Sequence, residues 1–281
     1  MAIFGEFKEI IMQTEKSTET PLAKIYLLPN TFTAGNLFFG FLCIIRCIQA
    51  KYCVEASAAV EFYNQAVWCI FGSFICDGLD GRLARLGGRE SLFGKEFDSI
   101  ADVVSFGLAP AMMVFFLILS PTNNYPFFRK IGWIVGFIYL LCGAVRLARF
   151  NVITHPLLPK DQKLTARDAS CFIGLPIPAA ASVIASLVLV INRFDLKAWA
   201  LLLPVLMLLI AWLMISNVRY PSFKHIDWTT ETKFRAFILI ISIFVIVCTF
   251  EGLSFVFLSL GYVFYGLIRY IKCAMRLRRK C

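Results

Sequence analysis

Apolar residues fill long unbroken stretches of the chain, and polar residues gather in short patches between them. Eight such stretches stand out, at residues 33–50, 59–84, 93–119, 130–150, 172–192, 196–216, 234–250 and 252–271. Several approach or exceed the roughly 18 apolar residues that mark a membrane-spanning helix. The pattern predicts an all-α, polytopic membrane protein with about eight transmembrane helices. The connecting loops are short, and the longest, "NVITHPLLPKDQKLTARDAS", joins the fourth and fifth stretches. No polar segment is long enough to build a separate soluble domain.

Composition agrees with the pattern. Of 281 residues 59% are hydrophobic, the mean hydropathy is +0.75, and a soluble domain is closer to about half apolar. The leading segment, residues 1–28, carries Glu6, Glu9 and Glu15 and lacks the charged leader and long apolar core of a signal peptide. Phe4, Phe7, Ile10 and Ile11 recur at helical spacing, which suits either a short helix lying on the membrane surface or a frayed tail. The ten cysteines fall mostly inside apolar runs, form no CxxC pair and stand beside only two histidines, His155 and His225. Zinc and redox chemistry are therefore poorly supported, and the cysteines read as small buried hydrophobes, compatible with a reducing cytoplasmic face.

Charge sets the orientation. With the N-terminus inside, 22 of the 28 lysines and arginines fall on the inner face and six on the outer. Such a bias predicts both termini on the cytoplasmic side. It also accounts for the net charge of +10 without nucleic acid as a partner. The basic tail "RYIKCAMRLRRK" is suited to anionic lipid heads, RNA being the other polyanion it could meet.

The chemistry concentrates in "CDGLDGRLARLGGRESLFGKEFDSIAD", residues 76–102. Its aspartates lie at the cytoplasmic ends of the second and third spans. Asp77 and Asp80 are three apart, and Asp98 and Asp102 four apart, so each pair shares a helix face. Gly87 and Gly88 can end one helix and Ser91 can start the next, which turns two carboxylate pairs toward each other. Four close carboxylates either share protons or bind metal. With no histidine or cysteine ligand set at hand, hard oxygen donors select Mg²⁺, Mn²⁺ or Ca²⁺. Two such ions about 4 Å apart would clamp a phosphoryl group and its leaving oxygen. Gly81 and Ala84 leave a smooth patch beside the acids where a flat base could lie, and Arg85, one turn on, suits a phosphate.

These residues carry a resemblance. Asp77, Asp80, Gly81, Ala84, Arg85, Gly94, Asp98 and Asp102 fill the pattern D-x2-D-G-x2-A-R, eight residues, G-x3-D-x3-D without departure. That pattern resembles the signature of the CDP-alcohol phosphotransferases. The resemblance implies a six-helix core over about residues 29–216 with a cytoplasmic-facing active site. It also implies two divalent ions, Mg²⁺ or Mn²⁺, on Asp77, Asp80, Asp98 and Asp102, with Asp102 also the base. A CDP-linked lipid would rest on Gly81, Ala84, Arg85 and Ser91. "PNTFT" resembles the family's N-x2-T nucleotide contact, here Asn30 and Thr33. A homodimer is implied as well. Residues 217–281 then supply two further helices and the basic tail.

Five more segments, "LPNTFTAGNLFFGF", "GKEFDSIADVVSFGLAPA", "RLARFNV", "FIGLPIPAAA" and "NVRYPSFK", together resemble the integral-membrane phosphatidylserine synthases over roughly residues 28–225. The implied donor is CDP-diacylglycerol, the acceptor L-serine and the products phosphatidylserine and CMP; the sequence leaves open direct transfer, the favoured course, and passage through a phosphatidyl-enzyme. The serine carboxylate needs a cation. Arg146 and Arg149, three apart at the inner end of the fourth span, are candidates, and both also suit a role as topology anchors. Asn151 has the same standing. Pro176 and Pro178 are expected to break the fifth helix and open a cavity wall, or only to kink it. Other acceptors, glycerol 3-phosphate or inositol phosphate, remain the alternative chemistry. A divalent-cation transporter is the alternative class, although its acids would be expected near the bilayer midplane rather than at the boundary.

Overall fold

The computed structural model describes residues 27–86, 92–120, 128–153, 171–196, 201–221 and 253–278. Helix α1 is Leu27–Tyr52 and α2 is Ala56–Leu86. A short turn joins them, in which the Glu55 carbonyl accepts the Ala59 N–H at 3.0 Å and opens α2. The two form a long antiparallel hairpin. The α1 helix begins earlier than its apolar stretch. Pro29 stands in its first turn, where a missing N–H breaks no helical bond.

Helix α3 runs over residues 92–119 and is not uniform. It starts as Leu92–Asp102, widens into a π-helical segment at Val103–Leu108, returns to α geometry at Ala109–Val114 and widens again at Phe115–Leu119. Pro110 explains the first widening. It has no N–H to offer, and in a regular helix its ring would press on the carbonyl of Phe106. That carbonyl instead accepts the hydroxyl of Tyr139 at 3.1 Å, from helix α4, Phe128–Ile153. Tyr139 and Phe106 are both wholly buried, so the bond satisfies a polar group in the apolar core.

After α4, strand β1 (Cys171–Ile173) leads through Gly174 into α5 (Ile177–Arg193). Helix α6 (Leu203–Ile215) is followed by β2 (Arg219–Pro221), which pairs antiparallel with β1, Phe172 opposite Tyr220. Helix α7 is Leu253–Arg278 and packs on α5 and β2. Gly174 takes φ +79°, and a Cβ there would collide with the Met214 carbonyl, so the turn between strand and helix admits only glycine. Apart from this one pair of three-residue strands, the described residues outside turns are helical.

Among the described residues, four helical segments are long and apolar enough to cross a membrane: Asn30–Tyr52, Phe93–Leu119, Lys130–Ile153 and Ser254–Ile271. The helices Ile177–Arg193 and Leu203–Ile215 are apolar but shorter. Their outward faces are greasy. On α4, Trp133, Phe137, Leu141 and Val145 form an exposed stripe, while Val135, Tyr139, Cys142 and Arg146 turn inward. A stripe of this kind is a liability in water and the ordinary surface in lipid.

Seven of the eight predicted stretches fall on described helices, with shifted ends, and four of the seven are long and apolar enough to cross a membrane. The fifth begins at Ile177 rather than 172, because residues 171–173 pair as a strand. The sixth begins at Leu203 rather than 196. Pro176 and Pro178 do not break a helix. They flank Ile177 at the helix start, where the Pro176 carbonyl accepts the Ala180 N–H at 3.0 Å. The seventh stretch, 234–250, and the leading segment to residue 26 lie outside the described residues.

Alternation of chain direction gathers the start of α1, the end of α2, the start of α3, the end of α4 and the β1–β2 pair at one end of the bundle. All the candidate chemistry that is described lies there.

Candidate active site

Asp77 and Asp80 sit near the end of α2, and Asp98 and Asp102 in the first segment of α3. One carboxylate oxygen from each of Asp77, Asp98 and Asp102 lies within 4.8 Å of the others. Asp102 is 7% exposed and Asp80 4%, while Asp77 and Asp98 are half-buried. Three carboxylates this close in a partly desolvated setting repel strongly unless a cation or shared protons intervene. The donor set fits a divalent cation: all ligands are hard oxygens, and no thiol or imidazole belongs to the group. Asp98 Oδ1 adds a second sign, being buried without a hydrogen-bond partner. Asp80 stands outside the group of three.

Helix α1 supplies a polar contact to two of these acids. Thr33 Oγ1 donates to Asp80 Oδ2 at 3.0 Å, and Asn36 Nδ2 donates to Asp102 Oδ1 at 3.0 Å. Thr33, expected at the nucleotide, is thus engaged with an aspartate of α2. Asn36 was not anticipated at all. A wholly buried amide within an apolar run is the signal that could have found it, since polar groups inside membrane helices mark functional positions. Ser73 and Ser105, also wholly buried, donate to the Asn36 carbonyl at 3.1 and 2.8 Å.

Around the acids, Asn30 is half-buried and its Nδ2 is buried without a partner. Gly81 is exposed, and a Cβ built there would meet nothing within 4 Å, so the surface beside Asp80 is open. Ala84 and Arg85 lie in the last turns of α2 and Gly94 in the first turn of α3. The side chains of Ala84 and Arg85, and all of Ser91, lie outside the described residues.

The two candidate arginines part company. Arg149 is spent on backbone: Nη1 donates to the Ile215 carbonyl at 3.2 Å, at the end of α6, and Nη2 to the Ile173 carbonyl at 3.1 Å, in β1. A cation at a helix C-terminus is favourable there, and it ties α4, β1 and α6 together. Arg146 is 6% exposed, lies with its guanidinium 5.8 Å from the Phe150 ring and stands within electrostatic reach of Asp102. Asn151 Nδ2 donates to Ser99 Oγ at 2.8 Å, joining α4 to the acid-bearing turn of α3.

A buried carboxylate cluster at one end of an apolar helical bundle, with an open glycine surface at its side, suits phosphoryl chemistry at a membrane boundary. The family model for CDP-alcohol phosphatidyltransferase matches residues 26–215, and the chain belongs to that family. Within it, the chain is similar to the CDP-diacylglycerol–serine O-phosphatidyltransferase of Helicobacter pylori strain J99. The two are 39% identical over 254 residues, covering 89% of this chain and 94% of the relative. It is 36% identical over 203 residues to the enzyme of the same name from Methanocaldococcus jannaschii, covering 72% of this chain and 83% of the relative. It is 33% identical over 196 residues to the archaetidylserine synthase of Methanothermobacter thermautotrophicus, covering 69% of each.

Proposed function

We propose that this protein transfers the phosphatidyl group of CDP-diacylglycerol to the hydroxyl of L-serine, giving phosphatidylserine and CMP. The observation that carries the reading is the convergence of Asp77, Asp98 and Asp102 oxygens within 4.8 Å, on the motif that resembles the family signature. The named relatives share the serine product class while differing in the lipid tail, diacylglycerol in two and archaetidyl in the third. That supports serine as the common element.

Each residue then has a task. A pair of divalent cations, Mg²⁺ or Mn²⁺, held by Asp77, Asp80, Asp98 and Asp102 would neutralise the donor pyrophosphate and the departing CMP. Asp102 takes the proton of the serine hydroxyl, which is a poor nucleophile while it keeps that proton. The serine oxygen attacks the phosphatidyl phosphorus directly, the bond to the CMP oxygen breaks and CMP leaves. Cytosine lies on the open surface at Gly81 and Ala84, with Asn30 beside it, and Arg85 and Ser91 receive phosphate oxygens. Arg146 pairs with the serine carboxylate. Its burial near Asp102 supports that role, whereas the two backbone carbonyls on Arg149 favour a structural task for it. The acyl chains of the donor stay in lipid.

On the same reading the chain divides into residues 1–28 at the membrane surface, a core at 29–216 and two C-terminal helices with a basic tail at 217–281. The active site faces the cytoplasm, and two copies associate. An acceptor screen tests the function. Purified protein, given labelled CDP-diacylglycerol with serine, glycerol 3-phosphate or inositol phosphate in turn, is expected to label lipid with serine alone. Labelled product from glycerol 3-phosphate and none from serine would reassign the acceptor.

A further inference from the structure

Thr33 and Asn36 are three apart on α1, so they face the same way, one turn along from each other. Each reaches a different helix and a different aspartate. Thr33 donates to Asp80 on α2, and Asn36 donates to Asp102 on α3. Both residues are buried, Asn36 completely. Neither aspartate is positioned by its own helix alone. Side-chain torsions of an aspartate are free to swing by tens of degrees unless a second contact fixes the carboxylate plane.

Asn36 is itself braced. Its backbone carbonyl accepts both Ser73 from α2 and Ser105 from the π-helical segment of α3. Ser105 lies three residues past Asp102, in the first wide turn after the acid-bearing segment. Opposite it, Gly40 lets α1 and α3 touch: a Cβ at Gly40 would sit 2.7 Å from the Ser105 backbone. The result is a fixed path from α1 to the carboxylate. Asn36 Oδ1 has no partner, so the amide is oriented by its donor side, with N–H toward the carboxylate. One oxygen of Asp102 is thereby committed to Asn36, and the other is left for the chemistry.

We propose that Thr33 and Asn36 are positioning residues: α1 serves as a donor rail that orients the Asp80 and Asp102 carboxylates on the two neighbouring helices for metal binding and proton transfer. The proposal rests on the reading of these aspartates as cation ligands. It assigns α1 a task that neither the acid motif nor the nucleotide contact contains. Partners that orient ligands from behind commonly carry about 10- to 100-fold in metal affinity or activity.

The test uses the full chain in detergent and two variants that remove only the donor: Asn36→Leu and Thr33→Val. Mn²⁺ affinity is read by titration without substrate, alongside kcat, both KM values and the thermal midpoint. Each variant is expected to weaken Mn²⁺ binding and lower kcat by about 10-fold or more. In Asn36→Leu the KM for serine and for CDP-diacylglycerol should move by less than about threefold, because Asn36 touches no substrate in the proposal. A residue that only packs would shift the thermal midpoint and leave Mn²⁺ affinity alone. Should Asn36→Leu not fold, Asn36→Ser, too short to reach Asp102, carries the same expectation. Wild-type Mn²⁺ affinity and kcat in the folded variants overturn the proposal by itself. Absence of Mn²⁺ binding by the wild type overturns the proposal together with the cation reading beneath it.

Discussion

Asp102 combines three properties that no other described residue shows together: near-complete burial, membership of the carboxylate cluster and a direct hydrogen bond from α1. As the proposed base it must accept a proton, so Asp102→Asn, which keeps the shape and one oxygen ligand, is expected to lower turnover by at least about 100-fold. Binding of CDP-diacylglycerol should be largely kept. Near-normal turnover in that variant would remove Asp102 from the base role. Arg146 and Arg149 give a paired comparison. A charge-assisted hydrogen bond is worth about 1.5–3 kcal/mol, so Arg146→Ala should raise the serine KM by about 10- to 150-fold. Arg149→Ala should lower the thermal midpoint instead, since it frees two backbone carbonyls at the α6 and β1 ends. Equal serine KM effects in the two variants would count against this division. The convergence of Asp77, Asp98 and Asp102 was legible in the sequence because helix spacing and the two-helix turn bring acids together, whereas the place of Asp80 outside that group was not. The split between the arginines was not, because the partners of Arg149 are main-chain carbonyls 24 and 66 residues away, and no side-chain pattern encodes them. Asn36 was missed for a related reason: a single amide within "TAGNLFFGF" has no periodic partner, and its meaning appears only when α3 is laid against α1.

At the level of elements, α3 is where local chemistry and tertiary packing meet. Its π-helical turns follow Asp102 directly, Pro110 forces the ladder to widen, and Tyr139 compensates from α4. Widened turns of this type concentrate at functional positions. The close approach of α1 to the same turns depends on Gly40. Gly40→Ala places a methyl group against the Ser105 backbone, which cannot retreat as a flexible side chain would. Overpacking of this type costs about 1–3 kcal/mol. The thermal midpoint should therefore fall, and activity with it, as α1 is pushed off α3. A Gly40→Ala protein with unchanged midpoint and activity would show that the two helices have slack. Apolar runs foretold the helices well, since long segments in lipid have few alternatives. They foretold the ends poorly. Residues 171–173 looked like helix from hydropathy, yet they pair with Arg219–Pro221. Pro176 and Pro178 looked like breaks and prove to flank a helix start. Both outcomes depend on a partner strand beyond α6, which no local window contains.

For the molecule as a whole, the candidate site lies at one end of a greasy bundle, and the lysine and arginine distribution proposes which side of the membrane that end faces. Cys53 in the α1–α2 turn belongs to the opposite end, and Cys281 to the basic tail. In single-cysteine variants on intact cells, a membrane-impermeant maleimide should label Cys53 and should reach Cys281 only after permeabilisation. The reverse result would invert the orientation. The most direct measurement of the central claim is the stoichiometry of the reaction in purified, lipid-reconstituted protein supplied with CDP-diacylglycerol, L-serine and Mg²⁺. One phosphatidylserine and one CMP should appear for each serine consumed. EDTA should stop all three changes together, and added Mn²⁺ should restore them. Release of CMP without serine entering lipid, or undiminished turnover after complete chelation, would contradict phosphatidyl transfer to serine at a cation-bearing aspartate cluster.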